Sequence, residues 1–235
     1  MSTSKSPVGS PESRTESPVA MPAALRAKVL GQIAKEPSPT RTEWTRRIVI
    51  ATTAGVIAAL GVFVGVGGVE LGRRPAAYVA SVSAVWAACW LAALPWALMR
   101  GRSSVGRAHV RLINVLGLPL LALGALLVGS ALWPETRAID DGRSDLRCFV
   151  FALLLAASPY LAFLWAKRRM VLVHATLEAA VAGVFAGTLG ALLITLRCQC
   201  SEISHLVIGH LLPVLTLGAL SAVIAGRWLR RGLPS

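Results

Sequence analysis

The chain has 235 residues, 55% hydrophobic and 15% charged, with a formal net charge of +13. Its mean hydropathy is +0.65, and the apolar residues fall in blocks of about 20 between short charged stretches. That pattern fits repeated crossing of a bilayer and excludes a soluble domain, which needs a charged exterior. Four cysteines in this length do not make a disulfide scaffold.

Residues 1–21 are rich in Ser and Pro, have little to bury, and read as a disordered tail. The first 45 residues hold no continuous apolar core of the kind a cleaved signal peptide needs. Residues 22–35 read as a short helix opened by Pro22 and closed by Pro37 and Pro39. Leu25, Val29, Leu30 and Ile33 form one apolar stripe, with Arg26, Lys28 and Lys35 opposite. A helix this short is marginal in water and needs its stripe covered. Two covers are open: a groove on a partner protein, or the bilayer surface. A linker completes this segment, which runs over residues 22–47.

Six apolar runs follow within residues 48–231: Ile48–Val69, Pro75–Met99, Leu112–Trp133, Cys148–Ala166, Val171–Leu196 and Leu206–Gly226. At 1.5 Å per residue each crosses, or nearly crosses, a hydrocarbon core about 30 Å thick. The expected fold is all-α: a polytopic membrane protein of six transmembrane helices with a short cytosolic N-terminal helix. With the N-terminus in the cytosol, the inner connections carry four, three and three Lys/Arg, while the outer connections balance six basic against six acidic residues. The positive-inside rule therefore puts both termini in the cytosol. The basic excess then sets topology and attracts anionic lipid. It forms no basic face on a folded domain, so direct nucleic-acid binding is not expected. Trp44, Trp96, Trp133, Trp165 and Trp228 sit near span ends, whereas Trp86 and Trp90 should pack between helices.

Cys148 opens the fourth span, Cys198 and Cys200 end the fifth, and His205 and His210 open the sixth. Packing of spans four to six would gather them at the outer level. A Cys148–Cys198 or Cys148–Cys200 disulfide, a thiolate and imidazole metal site, and unlinked cysteines all remain open. Cys89 reads as a small apolar packing residue. His210 is either an interhelical hydrogen-bond donor or part of the outer cluster. His174 and Glu178 share a helical face at the entry to span five and read as a shallow pair facing the inner headgroups. Gly61-x-x-x-Gly65 and Gly183-x-x-x-Gly187 are candidate close-approach motifs. No catalytic constellation and no cofactor motif appears, so no enzyme is expected.

Several features of the C-terminal half resemble the NrsF-type family of membrane anti-sigma factors. They are Arg147-Cys148 opening a span, Arg168-Arg169 closing it, a Gly/Ala-rich span ending at Cys198, Gly209-His210, and Gly226-Arg-Trp-Leu-Arg. A myxobacterial carotenogenesis regulator of the same class is similar in size and layout. The chain departs from the family pattern in having Val171, Val173 and His174 where prolines are common after the paired arginines. It also has Arg197-Cys198 in place of His-Cys, and Cys200 is extra. The resemblance implies that the N-terminal segment binds a sigma factor of the extracytoplasmic-function type through Leu25, Arg26, Val29, Leu30 and Ile33. It also implies residence in the bacterial inner membrane and a signal received at the spans or outer cysteines. The rival reading is a small transporter or channel.

Overall fold

The structure, a computed structural model, describes residues 40–70, 74–98, 108–134, 145–168, 174–200 and 202–225, together with 27, 31 and 227. The chain divides into two compact units, Met1–Thr40 and Arg41–Ser235. The stripe Leu25, Arg26, Val29, Leu30 and Ile33 lies outside the described residues; Ala27 and Gly31 within that stretch are helical and exposed.

The second unit holds six long helices: α1 Arg41–Gly65, α2 Ala76–Leu98, α3 Ala108–Leu132, α4 Asp145–Lys167, α5 Ala175–Arg197 and α6 Ile203–Ala225. Each contains a stretch long and apolar enough to cross a membrane. Helix α1 starts seven residues before the apolar run, because the mostly polar stretch Arg41–Arg47 stays helical, Trp44 packing with Ile48 and Ala166 and Glu43 complementing the N-terminal dipole. It ends at a turn where Gly67 and Gly68 have φ of +112° and +64°, a conformation glycine adopts without steric cost.

Helix α5 is the hub. The apolar window of α5 is 83% buried, against 33% for α1 to α4. Its small residues explain this, since glycines let neighbouring backbones come close. A Cβ on Gly183 would meet Leu217 O at 2.5 Å, one on Gly187 would meet Val214 Cα at 2.8 Å, and one on Gly190 would strike Ala152 O. Gly183 and Gly187 thus seat α6, and Gly190 seats α4. Gly61 and Gly65 have nothing within 4 Å, so that motif makes no close approach. The contact between α1 and α4 runs instead through Gly55, where a Cβ would come within 2.7 Å of Pro159 Cα. There the Ser158 hydroxyl donates to Gly55 O at 3.0 Å.

Trp86 is fully buried, and Trp90 stacks on Phe185 with centroids 5.5 Å apart, so both indoles pack between helices. Cys89 is buried and its thiol donates to Leu118 O at 3.4 Å. Ile57, Val64, Leu120, Leu121, Leu154 and Leu161 face outward and are more than half exposed. Apolar surface of this extent is what lipid, rather than water, would cover.

The two ends of the bundle are closed differently. At the Lys167 end, Lys167 and Glu178 form a buried ion pair between α4 and α5, with the Lys167 ammonium 4.5 Å from the Phe163 ring. This corrects the expectation of a shallow His174–Glu178 pair. Glu178 is 1% exposed, because Lys167 at the end of α4 lies against it. At the opposite end, Glu70 and Arg74 clasp the C-terminus of α5. Glu70 N–H donates to Leu196 O at 3.1 Å, Arg74 Nη1 donates to Thr195 O at 3.1 Å, and Gln199 Nε2 donates to Glu70 Oε1 at 2.6 Å. A helix ends with carbonyls that lack intrahelical partners, and this clasp supplies them.

Candidate functional site

The clasped end carries the cluster. Cys148 lies on the first turn of α4, Cys198 follows the last residue of α5, and His205 and His210 lie on the first turns of α6; all four are buried. The Cys148 thiol donates to Cys198 Sγ at 3.7 Å. Cys198 Sγ lies 3.0 Å from His205 Nε2, and His205 Nδ1 lies 2.7 Å from Asp145 Oδ1. A carboxylate only accepts, so Nδ1 carries the proton and Nε2 faces the thiol. Asp145, Cys148, Cys198 and His205 therefore form one hydrogen-bonded chain across three helices.

His210 extends it. The Thr195 hydroxyl donates to Ala191 O at 2.7 Å and lies 2.9 Å from His210 Nδ1. One hydroxyl proton serves one acceptor, so His210 Nδ1–H donates to Thr195 Oγ1. Its Nε2 is buried without a hydrogen-bond partner among the described residues. His210 is thus both an interhelical donor and a neighbour of the cluster, its ring centroid 5.6 Å from that of His205.

A π-helical turn over Val207–Leu211 makes this pairing possible. Residues five apart on a regular α-helix point about 140° away from each other. Here Leu212 N–H bonds to Val207 O, five residues back, which brings positions five apart onto one face. Pro213 lacks the N–H that Gly209 O would accept in a regular helix, which explains the wider turn. Gly209 is needed for a second reason: a Cβ there would lie 3.1 Å from Cys148 Cβ and 3.4 Å from His205 Nε2.

The arrangement supports two chemistries. Cys148 Sγ, Cys198 Sγ and a His205 nitrogen lie within 4.8 Å of one another, a donor set suited to a borderline or soft ion such as Zn²⁺. Asp145 behind His205 is the outer partner that metal-bound imidazoles have. Alternatively, Cys148 and Cys198 can be joined by oxidation. Cys200 stands at the edge, half-buried, with its carbonyl 3.9 Å from Cys198 Sγ.

The adjacent Cys148 thiol and burial push the Cys198 thiol above the usual thiol range, with His205 and His210 opposing the rise. A raised pKa leaves the neutral thiol dominant at pH 7, so reactivity grows with alkalinity. We expect mild oxidation to link Cys148 to Cys198, not to Cys200. The rate of attack by Cys198 should climb about tenfold per pH unit between 7 and 9. Peptide mapping by mass spectrometry reads both; a Cys148–Cys200 product, or a plateau below pH 8, would contradict the geometry.

Asp145 and Thr195 are site residues that the sequence reading did not single out. Asp145 could have been found, since it lies three residues before Cys148 and therefore on the same helical face. Thr195 carries no such signal.

Fold and site together define a polytopic helical membrane protein with a buried thiol and imidazole cluster at one end of its bundle. The family described as NrsF, negative regulator of sigma F, matches residues 33–230, and the chain belongs to it. It is therefore a negative regulator of a sigma factor, with a sigma factor as its partner. No curated protein and no solved structure matches the chain.

Proposed function

We propose that the chain is an inner-membrane anti-sigma factor with both termini in the cytosol. In this reading residues 22–47, behind the tail of residues 1–21, hold a sigma factor of the extracytoplasmic-function type. A signal at the Cys148, Cys198, His205 and His210 cluster releases it. The observation that carries the reading is the family match over residues 33–230. The charge asymmetry supports the orientation, because it sets the cluster outside and the capture segment inside.

Helix α1 begins within the proposed capture segment, at Arg41, and the clasp of Glu70 and Arg74 ties the chain beyond its far end to Leu196 and Thr195. Thr195 in turn meets His210. Oxidation or metal capture at Cys198 would pull on this joint. Release then requires two states of the bundle with different sigma affinity, since equal affinity shifts nothing.

The test is copurification of sigma factor with the full chain and with residues 1–47. Leu25→Asp combined with Ile33→Asp should weaken capture about a thousandfold, taking about 2 kcal/mol for each anchoring residue. The family match includes Ile33 but not Leu25, so the single substitutions are informative. Retention of sigma by the doubly substituted chain would move the capture site out of this stripe.

A further inference from the structure

At the Lys167 end of the bundle, opposite the cysteines, Leu161, Leu164, Trp165 and Arg168 line a groove of about 380 Å³. Their spacing of three, four and seven residues puts them on one face of α4 and the turn that ends it. Leu161 is 61% exposed and Trp165 is 48% exposed, so this face looks away from the bundle. Arg168 is exposed as well. Its direction follows from its neighbour: Lys167 turns inward to Glu178, and the next position of a helix lies about 100° further round. The Arg168 guanidinium carbon lies 5.4 Å from the Trp165 ring centroid. Arg47 of α1 lies over the same ring at 4.5 Å, which ties the indole to the neighbouring helix. Arg47 has further interactions of its own, so it supports the ring and is not counted as the cation of the groove.

Toward the end of α4 the face thus passes from aliphatic side chains to an indole to a guanidinium, over about 10 Å at 1.5 Å per residue. A phospholipid has the same order, from acyl chain to ester carbonyls to phosphate. We infer that this groove holds one anionic phospholipid of the adjoining leaflet. Its acyl chain lies against Leu161 and Leu164, and its ester region meets Trp165, at the level where amphipathic rings stand and the indole N–H can donate. Its phosphate oxygens face the Arg168 guanidinium, whose planar fork suits them. A second copy of the chain fits this face less well. A two-fold contact here would bring two Arg168 side chains together, and like charges repel. The lipid bears on α1 through the ring that Arg47 and Arg168 share. That the leaflet is the cytosolic one rests on the orientation proposed above, whereas the binding does not depend on it.

In the experiment the full-length chain in dodecyl maltoside meets equimolar phosphatidylglycerol and phosphatidylcholine, and native mass spectrometry counts the lipids each chain keeps. One phosphatidylglycerol should be retained in about fivefold preference to phosphatidylcholine, the gain expected from one cation at a headgroup. Arg168→Gln should bring that ratio near one, and Arg168→Lys should keep most of it. Arg227→Gln removes another exposed cation, one that does not line the groove, and should leave the ratio unchanged. Both positions are exposed, so the unfolding midpoints of the variants should agree with that of the unsubstituted chain. Glycerol phosphate at the concentration of the lipid should displace none of it.

Equal retention of the two lipids by the unsubstituted chain would overturn the inference. So would an equal fall with Arg227→Gln and Arg168→Gln, which would reduce the effect to general attraction by the basic loops. Displacement by glycerol phosphate would make the phosphate alone the ligand, and a lipid-free dimer would give the face to a second copy; either result sinks the lipid site. Sigma copurification reads the regulatory proposal separately, so either can fail alone.

Discussion

Glu178→Leu alone should be among the most destabilising single substitutions in the bundle, because it removes the buried carboxylate that pairs with the Lys167 ammonium. Lys167 is 1% exposed and Glu178 is 1% exposed, and each is the other's ion-pair partner. Stranding one member of such a pair costs about 3–5 kcal/mol. For a chain of this size that lowers the melting temperature by on the order of 10 °C. The double substitution Lys167→Met with Glu178→Leu should recover most of the loss, since an apolar pair of similar volume is often neutral or better. Thermal unfolding in detergent measures all three. If Glu178→Leu melts within about 2 °C of the unsubstituted chain, the pair is not desolvated and the account of this end fails. The contrast matters mechanically, because the pair locks α4 to α5 at the end opposite the cysteines.

The second large effect lies in the glycines of α5. Gly183→Ala puts a methyl group 2.5 Å from Leu217 O and 2.9 Å from Gly218 Cα. Backbone cannot swing aside as a flexible side chain can, so α6 must move outward. The expected cost is about 1–3 kcal/mol, the range for overpacking a filled site. Gly190→Ala should behave alike against Ala152 O, and the two together should separate α4, α5 and α6 enough to break the cluster. Gly61→Ala is the control: nothing lies within 4 Å of that position, and replacing a mid-helix glycine gains roughly 0.5–1 kcal/mol. Detergent unfolding midpoints and the yield of the Cys148–Cys198 link should fall for Gly183 and Gly190 and hold for Gly61. An equal response at all three would remove α5 as the hub.

Much of the architecture was readable because hydropathy is a local property. Six apolar runs correspond to six helices, with ends shifted by a few residues where polar residues such as Arg41–Arg47 and Asp145–Arg147 stay helical. Trp86 and Trp90 were separable from the interfacial tryptophans by their depth alone. The glycine motifs were not separable, since Gly61-x-x-x-Gly65 and Gly183-x-x-x-Gly187 look alike as strings. Only the helix that each faces distinguishes them. The placement of Glu178 failed for the same reason: a carboxylate one turn inside a helix looks shallow until Lys167 closes over it.

Residue types and spacing alone gave six stretches fit to cross a membrane, the loops that carry the basic excess, and three cysteines and two histidines at the ends of spans four to six. Those conclusions need only the cost of burying charge and the length of a helix. The tertiary structure decided what the gathered groups do. It joined Cys148 to Cys198 and left Cys200 aside, set Asp145 behind His205, and used a π-helical turn to bring His210 to the same face. Each of these depends on contacts between residues far apart in the chain, such as Asp145 and His205, 60 positions apart, and no local pattern encodes where two helices meet.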